Sequence, residues 1–211
     1  MSEASEVFLW NRASKQLSKA ALFDELDAPR VIAAVASWQS LIDKRIDALK
    51  QQNVPRKDWP QHAHWDWDRK VKAVSGLLAY QFLGIECEGE MQGVMLTGTV
   101  GHACRISNQA GKPLLTVHFL ASAPWNLPSF VDNPRFGLVG KVFVAAAIQL
   151  SLENGFHGRI GLHSLPQAES FYLDDCSMTD LGIDAGPGGE NLRYFEMTPN
   201  QAKIFLRGAK R

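Results

Sequence analysis

The sequence predicts a mixed α/β (α+β) domain, and three observations carry that expectation. Apolar residues recur in steps of three and four through the first third of the chain. After Tyr80 they gather in short runs rich in β-branched residues, and a long apolar helical segment then separates further short runs. At 211 residues the chain suffices for one full domain rather than two large ones. The expected division is a single domain over 1–211, with a mainly helical region over 1–79 and a sheet-bearing core over 80–206.

In order, Glu6 to Arg12 reads as a short strand or a fraying helical turn. Val31, Val35, Trp38, Ile42, Ile46 and Leu49 form one helix face. Asp27 can cap that helix, Pro29 suits its first turn, and Asn53-Val54-Pro55 ends it. A polar, tryptophan-rich connector (Arg56 to Asp66) leads to a second helix carrying Trp67, Val71, Val74 and Leu78 on one side. Strands are expected at Phe82–Glu88, Gly93–Ile106 and Leu114–Ala121, the first two parted by the turn-forming Glu88-Gly89-Glu90. A helix from Leu138 to Asn154 stops at Gly155. A strand at Arg159–Leu165, a short helix at Gln167–Asp174 and a last strand at Leu192–Thr198 follow.

Composition excludes several function classes. Hydrophobic residues make up 45% and charged residues 21%, an ordinary globular mix. Lys plus Arg (22) balance Asp plus Glu (22), so no overall basic field draws in nucleic acid or anionic membrane. Met1 to Val7 lacks the apolar centre of a secretory signal, and the run Val142–Ile148 is far shorter than the ~20 residues of a membrane span. Three separated cysteines, Cys87, Cys104 and Cys176, form neither a CxxC nor an even framework. A cytoplasmic, reducing setting is expected.

The strongest local signal is Pro134-Arg135-Phe136-Gly137-Leu138-Val139-Gly140-Lys141, at the start of the long helix. No acidic residue occurs from Asn133 through Leu152. Helix-start amides, Arg135 and Lys141 converge there without a neighbouring carboxylate in sequence, which suits a phosphate or pyrophosphate. A Gly-containing turn into a buried helix is the plainer alternative.

Several further segments fall in a telling order. Arg135-Phe136-Gly137-Leu138-Val139-Gly140 lies over the pattern Arg/Gln-x-x-Gly-x-Gly/Ala, with Leu138 in the middle glycine's place. Leu120-Ala121-Ser122-Ala123-Pro124 lies over Leu-x-Val-x-Pro. Leu165 through Tyr172 lies over Asn-x-x-Ala-x-x-Leu-Tyr, with Ala168 and Tyr172 matching and Leu165 replacing the asparagine. In this order, residues 80–206 resemble the acyl-CoA-binding half of the GNAT (Gcn5-related N-acetyltransferase) superfamily. The resemblance implies a mostly antiparallel central sheet flanked by helices, here with a longer helical N-terminal region.

It further implies an N-acetyltransferase that moves an acetyl group from acetyl-CoA, as cosubstrate, directly to an amine of a small molecule or peptide. Leu120, Ala121 and Ser122 would bind pantetheine through their backbone. Arg135, Phe136, Gly137, Leu138, Val139, Gly140 and Lys141 would hold the pyrophosphate, and Tyr172 would protonate the leaving thiolate. His118, an ionisable side chain in an apolar strand, is the candidate base, or else a buried structural histidine. His163, Glu86 and Glu88 are further candidates.

Trp125, Leu127 and Phe130, with Trp65 and Trp67 opposite, are candidate walls of an acceptor pocket. The cluster His62-Ala63-His64-Trp65-Asp66-Trp67-Asp68 lacks a further ligand pair, so no metal is expected. No membrane or nucleic-acid partner is expected, and a homodimer is compatible with the sequence. Two rival readings stand beside this one. One is a toxin-type acetyltransferase acting on aminoacyl-tRNA; the other is a non-catalytic acyl-CoA- or partner-binding module. The basic tail Arg207–Arg211 reads as a solvated end.

Overall fold

The computed structural model describes residues 4–186 and 189–208. In chain order the elements are β1 (Ala4–Asn11), β2 (Gln16–Phe23), α1 (Ala28–Gln51), α2 (Trp67–Val74), β3 (Tyr80–Cys87), β4 (Glu90–Gly98), β5 (Leu115–Ser122) and β6 (Phe136–Gly137). Then come α3 (Val139–Glu153), β7 (Ile160–Ser164), a π-helical turn (Phe171–Asp175), β8 (Thr179–Ala185), β9 (Asn191–Met197) and α4 (Pro199–Gly208). This is a mixed α/β architecture whose described strand pairs are antiparallel, except β5 with β7. The chain forms two compact units. One comprises the chain up to Val94 together with Ala121–Gly140, and the other comprises Met95–Leu120 and the chain from Lys141 onward.

In the first unit the strand order is β6-β1-β2-β3-β4. Of the two readings of Glu6 to Arg12 the strand is the one present, and it pairs with a second strand the sequence did not suggest, in a hairpin joining Ala4 to Phe23 and Asn11 to Gln16. Asn11 Oδ1 closes its turn by accepting from the Ala13 and Ser14 amides, at 3.1 and 3.2 Å. The helices follow local chemistry. Asp27 Oδ1 accepts from Arg30 N at 2.8 Å to cap α1, and Asp66 Oδ1 accepts from Arg69 N at 2.9 Å to cap α2. α1 buries Val31, Ala34, Trp38 and Leu49, and the Trp38 indole donates to Met91 O at 3.2 Å. α2 ends at Val74, because Gly76 takes a left-handed φ of 74° just beyond it. Leu78, expected on its apolar face, therefore lies outside the helix and is exposed. At the β3–β4 turn Glu88 and Gly89 both have positive φ, the geometry of a type I′ hairpin.

In the second unit the strand order is β5-β7-β9-β8. The strand expected through Ile106 stops at Gly98, and the connection to β5 is irregular apart from a bridge between Ala103 and Pro113. α3 buries Phe143, Val144, Ala147 and Ile148 along one face and ends where Gly155 has a φ of 73°. Ser151 Oγ donates to Arg159 O at 2.7 Å, tying α3 to the residue before β7. β7 pairs with β9 so that Gly161 faces Glu196 and His163 faces Tyr194. The Tyr194 hydroxyl lies 2.5 Å from where a Cβ on Gly161 would stand, so this position requires glycine. β8 and α4 are elements the sequence did not suggest. Of the basic tail, Arg207 and Gly208 close α4, and residues 209–211 lie outside the described residues. The three cysteines are free and buried. Among the described residues no helix is long and apolar enough to cross a membrane.

Candidate functional site

The segment before α3 is fixed by hydrogen bonds within the first unit. Phe136 and Gly137 form β6 and pair with Asn11 and Trp10 of β1. Arg135 N donates to Trp125 O at 2.9 Å, and Phe136 N donates to Asn126 Oδ1 at 3.0 Å. Asn126 in turn hangs on Gln92, which is fully buried. Gln92 Oε1 accepts from Asn126 Nδ2 at 3.0 Å and from the Trp125 indole at 2.8 Å, while its Nε2 donates to Cys87 O and Glu90 O. This amide is the hub that holds residues 125–137 in place. Nothing in the local pattern around Gln92 signals it.

Two features of the sequence argument for an anion site change in three dimensions. The left-handed residue is Leu138, with φ of 73°, rather than either glycine, so the backbone shape falls where the GNAT pattern has its middle glycine. The first turn of α3 is free of acids, as the sequence reads, but the expectation of unneutralised cations is corrected. Arg135 Nη1 pairs with Glu90 at 2.6 Å and Nη2 with Glu88 at 3.7 Å. In the second unit Lys141 pairs with Asp175 at 2.7 Å. All these groups are partly exposed, so each pair is weak and exchangeable with another anion. Val139 is buried at the helix start, whereas Leu138 is exposed. Glu88 is thus an ion-pair partner of Arg135, and Glu86 lies 3.9 Å from Arg30.

In the second unit β5 and β7 carry the candidate base. Their parallel pairing joins Leu115–Val117 to Ile160–Leu162, while β5 runs on to Ser122 and β7 to Ser164. His118 and His163 are the next residues on the two strands. His118 is half-buried, and burial, helped by His102 and His163, lowers its pKa to about 4. The His163 side chain is almost fully buried. Burial lowers its pKa too, against the pull of Asp184 at 3.8 Å. His102, whose ring centroid is 6.0 Å from that of His118, joins them from the irregular β4–β5 connection. Sequence reasoning missed it because the run through Ile106 reads as one continuous strand, whereas the strand ends at Gly98 and His102 lies beyond it. Phe119 and Leu120 are half-buried beyond His118.

Tyr172 sits in the π-helical turn, buried against Phe171 and Phe195 with centroids 5.0 and 6.0 Å away. Burial raises its phenol pKa well above the usual range, with Cys176 adding to the shift, so its proton is retained at ordinary pH. Burial likewise pushes the Cys176 thiol up to about 12, which leaves it an inert thiol.

The first unit also contains a cleft of about 360 Å³. α1 forms one wall with Ile32, Val35, Trp38 and Ile42. The connector, with His62 and Trp65, and the first residue of α2, Trp67, form the other, and Ala121, Ser122 and Pro124 close one side. His62 stacks edge-on to Trp65 and Phe130 at 5.9 and 5.3 Å, and burial lowers its pKa to about 4. Of the aromatic residues read from the sequence as pocket walls, Trp65 and Trp67 line this cleft, and Phe130 backs His62. Trp125 turns instead to Gln92. Among the described residues no group of three His, Cys, Asp or Glu side chains is placed to hold a metal ion.

No protein-family model matches this sequence, and no curated protein sequence matches it. Solved structures do. An N-acyl amino acid synthase from uncultured soil microbes superposes with a TM-score of 0.55 at 9% identity, over 89% of this chain and 94% of that one. An uncharacterized protein of Bacillus halodurans gives 0.54 at 9% identity, over 98% and 96%. An aminoglycoside acetyltransferase in complex with coenzyme A and kanamycin gives 0.53 at 12% identity, over 88% and 98%. The fold is therefore that of the GNAT acetyltransferases.

Proposed function

We propose that this chain is an acyltransferase that moves the acetyl group of acetyl-CoA directly to an amine of a small molecule or peptide. The observation that carries the reading is the short parallel pairing of β5 with β7, which ends at Val117 and Leu162 with the strands running on and histidines next in both. Strand edges beyond such a pairing offer backbone amides and carbonyls to an extended ligand, and pantetheine is one. The fold shared with a coenzyme A-bound acetyltransferase supports the same cosubstrate.

In this reading Leu120, Ala121 and Ser122 bind pantetheine through their backbone and polarise the thioester carbonyl. The segment Arg135 to Lys141 receives the pyrophosphate, whose charge displaces Glu90 from Arg135 and Asp175 from Lys141. The acceptor reacts as the free amine, its ammonium proton having passed to solvent; the nitrogen lone pair attacks the carbonyl carbon and a C–N bond forms. His118, neutral at pH 7, takes the proton the nitrogen sheds. The C–S bond then breaks, and the thiolate leaves as a thiol with the proton of Tyr172, which solvent restores.

Thiol release from acetyl-CoA, measured against a panel of amines and peptides, tests the reading. Release that depends on the amine is expected. Tyr172→Phe should lower turnover by about 100-fold, with acetyl-CoA affinity within about twofold of wild type. Absence of both acetyl-CoA binding and thiol release overturns the proposal.

A further inference from the structure

We infer that the cleft between α1 and the tryptophan-rich connector binds a compact cationic amine with an apolar body, whose ammonium group is received by Asp68. That this amine is the acetyl acceptor rests on the acyltransferase reading; that it binds does not. Three observations point to the ligand class.

The first is charge. The ionisable residues lining the cleft are Asp66, Asp68 and His62. His62 is neutral above about pH 4 to 5, so it adds no positive charge at pH 7. Asp66 is committed through Oδ1 to the first turn of α2, whereas Asp68 stands one residue inside that helix with its side chain exposed. Arg69, Lys70 and Lys72 follow on the same helix, but none is part of the lining, and Lys70 lies over the Trp65 ring at 4.9 Å. A carboxylate rim without a lining Lys or Arg attracts ammonium and repels carboxylate and phosphate.

The second is the wall. Trp65 and Trp67 line the cleft together with Ile32, Val35, Trp38 and Ile42 of α1, and Trp65 meets Trp67 edge to face at 5.9 Å. Such a surface takes a flat or branched apolar body, and the indole faces favour a neighbouring cation. The third is size. At roughly 30 Å³ for each water-sized group, about 360 Å³ accommodates about a dozen non-hydrogen atoms. A single-ring amine fits, and a folded macromolecule does not. A peptide would enter only by one side chain or its terminus. The cleft is bounded by Ala121 and Ser122, so an amine held there stands beside backbone that the proposed reaction uses.

The experiment titrates the intact protein, without acetyl-CoA, with 2-phenylethylamine and with its acidic counterpart 3-phenylpropanoate, followed by calorimetry. The amine is expected to bind at least tenfold more tightly than the acid. Asp68→Asn should weaken amine binding about tenfold. Gln39→Trp, which fills the cleft from an exposed position on α1, should abolish it with the melting temperature retained. Equal binding of acid and amine, or amine binding untouched by both variants, overturns the inference. Adding acetyl-CoA separates the two claims. Amine binding with neither acetyl-CoA binding nor thiol release against the amine panel sinks the acyltransferase reading and leaves the cleft assignment standing. Thiol release that ignores both variants, although they weaken amine binding, shows that the bound amine is not the acetyl acceptor and leaves the reading standing.

Discussion

Arg135 donates to the Glu90 carboxylate across 2.6 Å, joining two residues 45 positions apart in the chain. Both side chains are more than a third exposed, so solvent screens the pair and it contributes little to stability. Its consequence is competition: any anion bound by Arg135 must displace Glu90. Glu90→Gln should therefore raise acetyl-CoA affinity about two- to fivefold, and Arg135→Ala should lower it about tenfold or more. Calorimetry on the folded variants decides. Unchanged affinity in both would place the pyrophosphate away from Arg135.

Leu138 holds a left-handed backbone that costs a residue with a Cβ about 1 kcal/mol or more. Its side chain is exposed, so truncation loses little burial. Leu138→Gly is expected to stabilise the protein by roughly 0.5 kcal/mol, after the added freedom of the unfolded chain is subtracted. Leu138→Val should destabilise it by about 1 kcal/mol, because β-branching tolerates this conformation poorly. Denaturant melts of the two variants should shift in opposite directions.

His62 and His118 have folded-state pKa values lowered to about 4, from 6.5. Between these limits the unfolded chain binds protons that the native state refuses. Stability contributed by these two groups is therefore complete above pH 6.5, declines as pH falls, and is exhausted near pH 4. The slope is at most about 1.4 kcal/mol per pH unit for each imidazole. The groups facing His118, His102 and His163, carry the same sign of influence on it. A His62→Gln/His118→Gln double variant should show a flatter melting-temperature profile than wild type across this window. A parallel profile would show that neither imidazole is held neutral.

Gln92 is the buried amide on which Trp125 and Asn126 hang. Gln92→Ala leaves several buried polar partners unsatisfied and opens a cavity, with an expected cost of about 3 kcal/mol. For a chain of this length that is roughly a 6–12 °C fall in melting temperature. Asn126→Ala releases Phe136 N as well, so it should also weaken acetyl-CoA binding if residues 135–141 hold the pyrophosphate.

What the sequence made legible was local. The Asp27 and Asp66 caps, the stop at Gly155 and the turn at Glu88-Gly89 each depend on a few neighbouring residues, and the structure has them there. What it hid was long-range. Gln16–Phe23 has the composition of a helix, with Gln, Leu, Lys and Ala, and becomes a strand because β1 and β3 pair with its two edges. The acid-free stretch before α3 was read correctly as sequence, but Glu88 and Glu90 arrive from another hairpin. The tryptophans of the connector show no period, so only the fold distinguishes Trp65, which lines a cleft beside Trp67 of α2, from Trp59, whose indole donates to Val54 O. β8 escaped notice because Gly182, at a φ of 86°, interrupts it, and its pairing with β9 shifts register there.

The contact between Gly161 and the Tyr194 hydroxyl sets an order on how this protein can change. Alanine at 161 is barred while the hydroxyl occupies that space, and the tyrosine ring and Leu114 stand at 3.3 and 3.2 Å behind it. Loss of the hydroxyl at 194 relieves the worst clash, so the substitution at 161 becomes accessible only afterwards. The two sites are therefore epistatic in one direction. A lineage drifting through neutral replacements would cross from Gly-Tyr to Ala-Phe through Gly-Phe, and the reverse route through Ala-Tyr would be closed by a core that cannot pack.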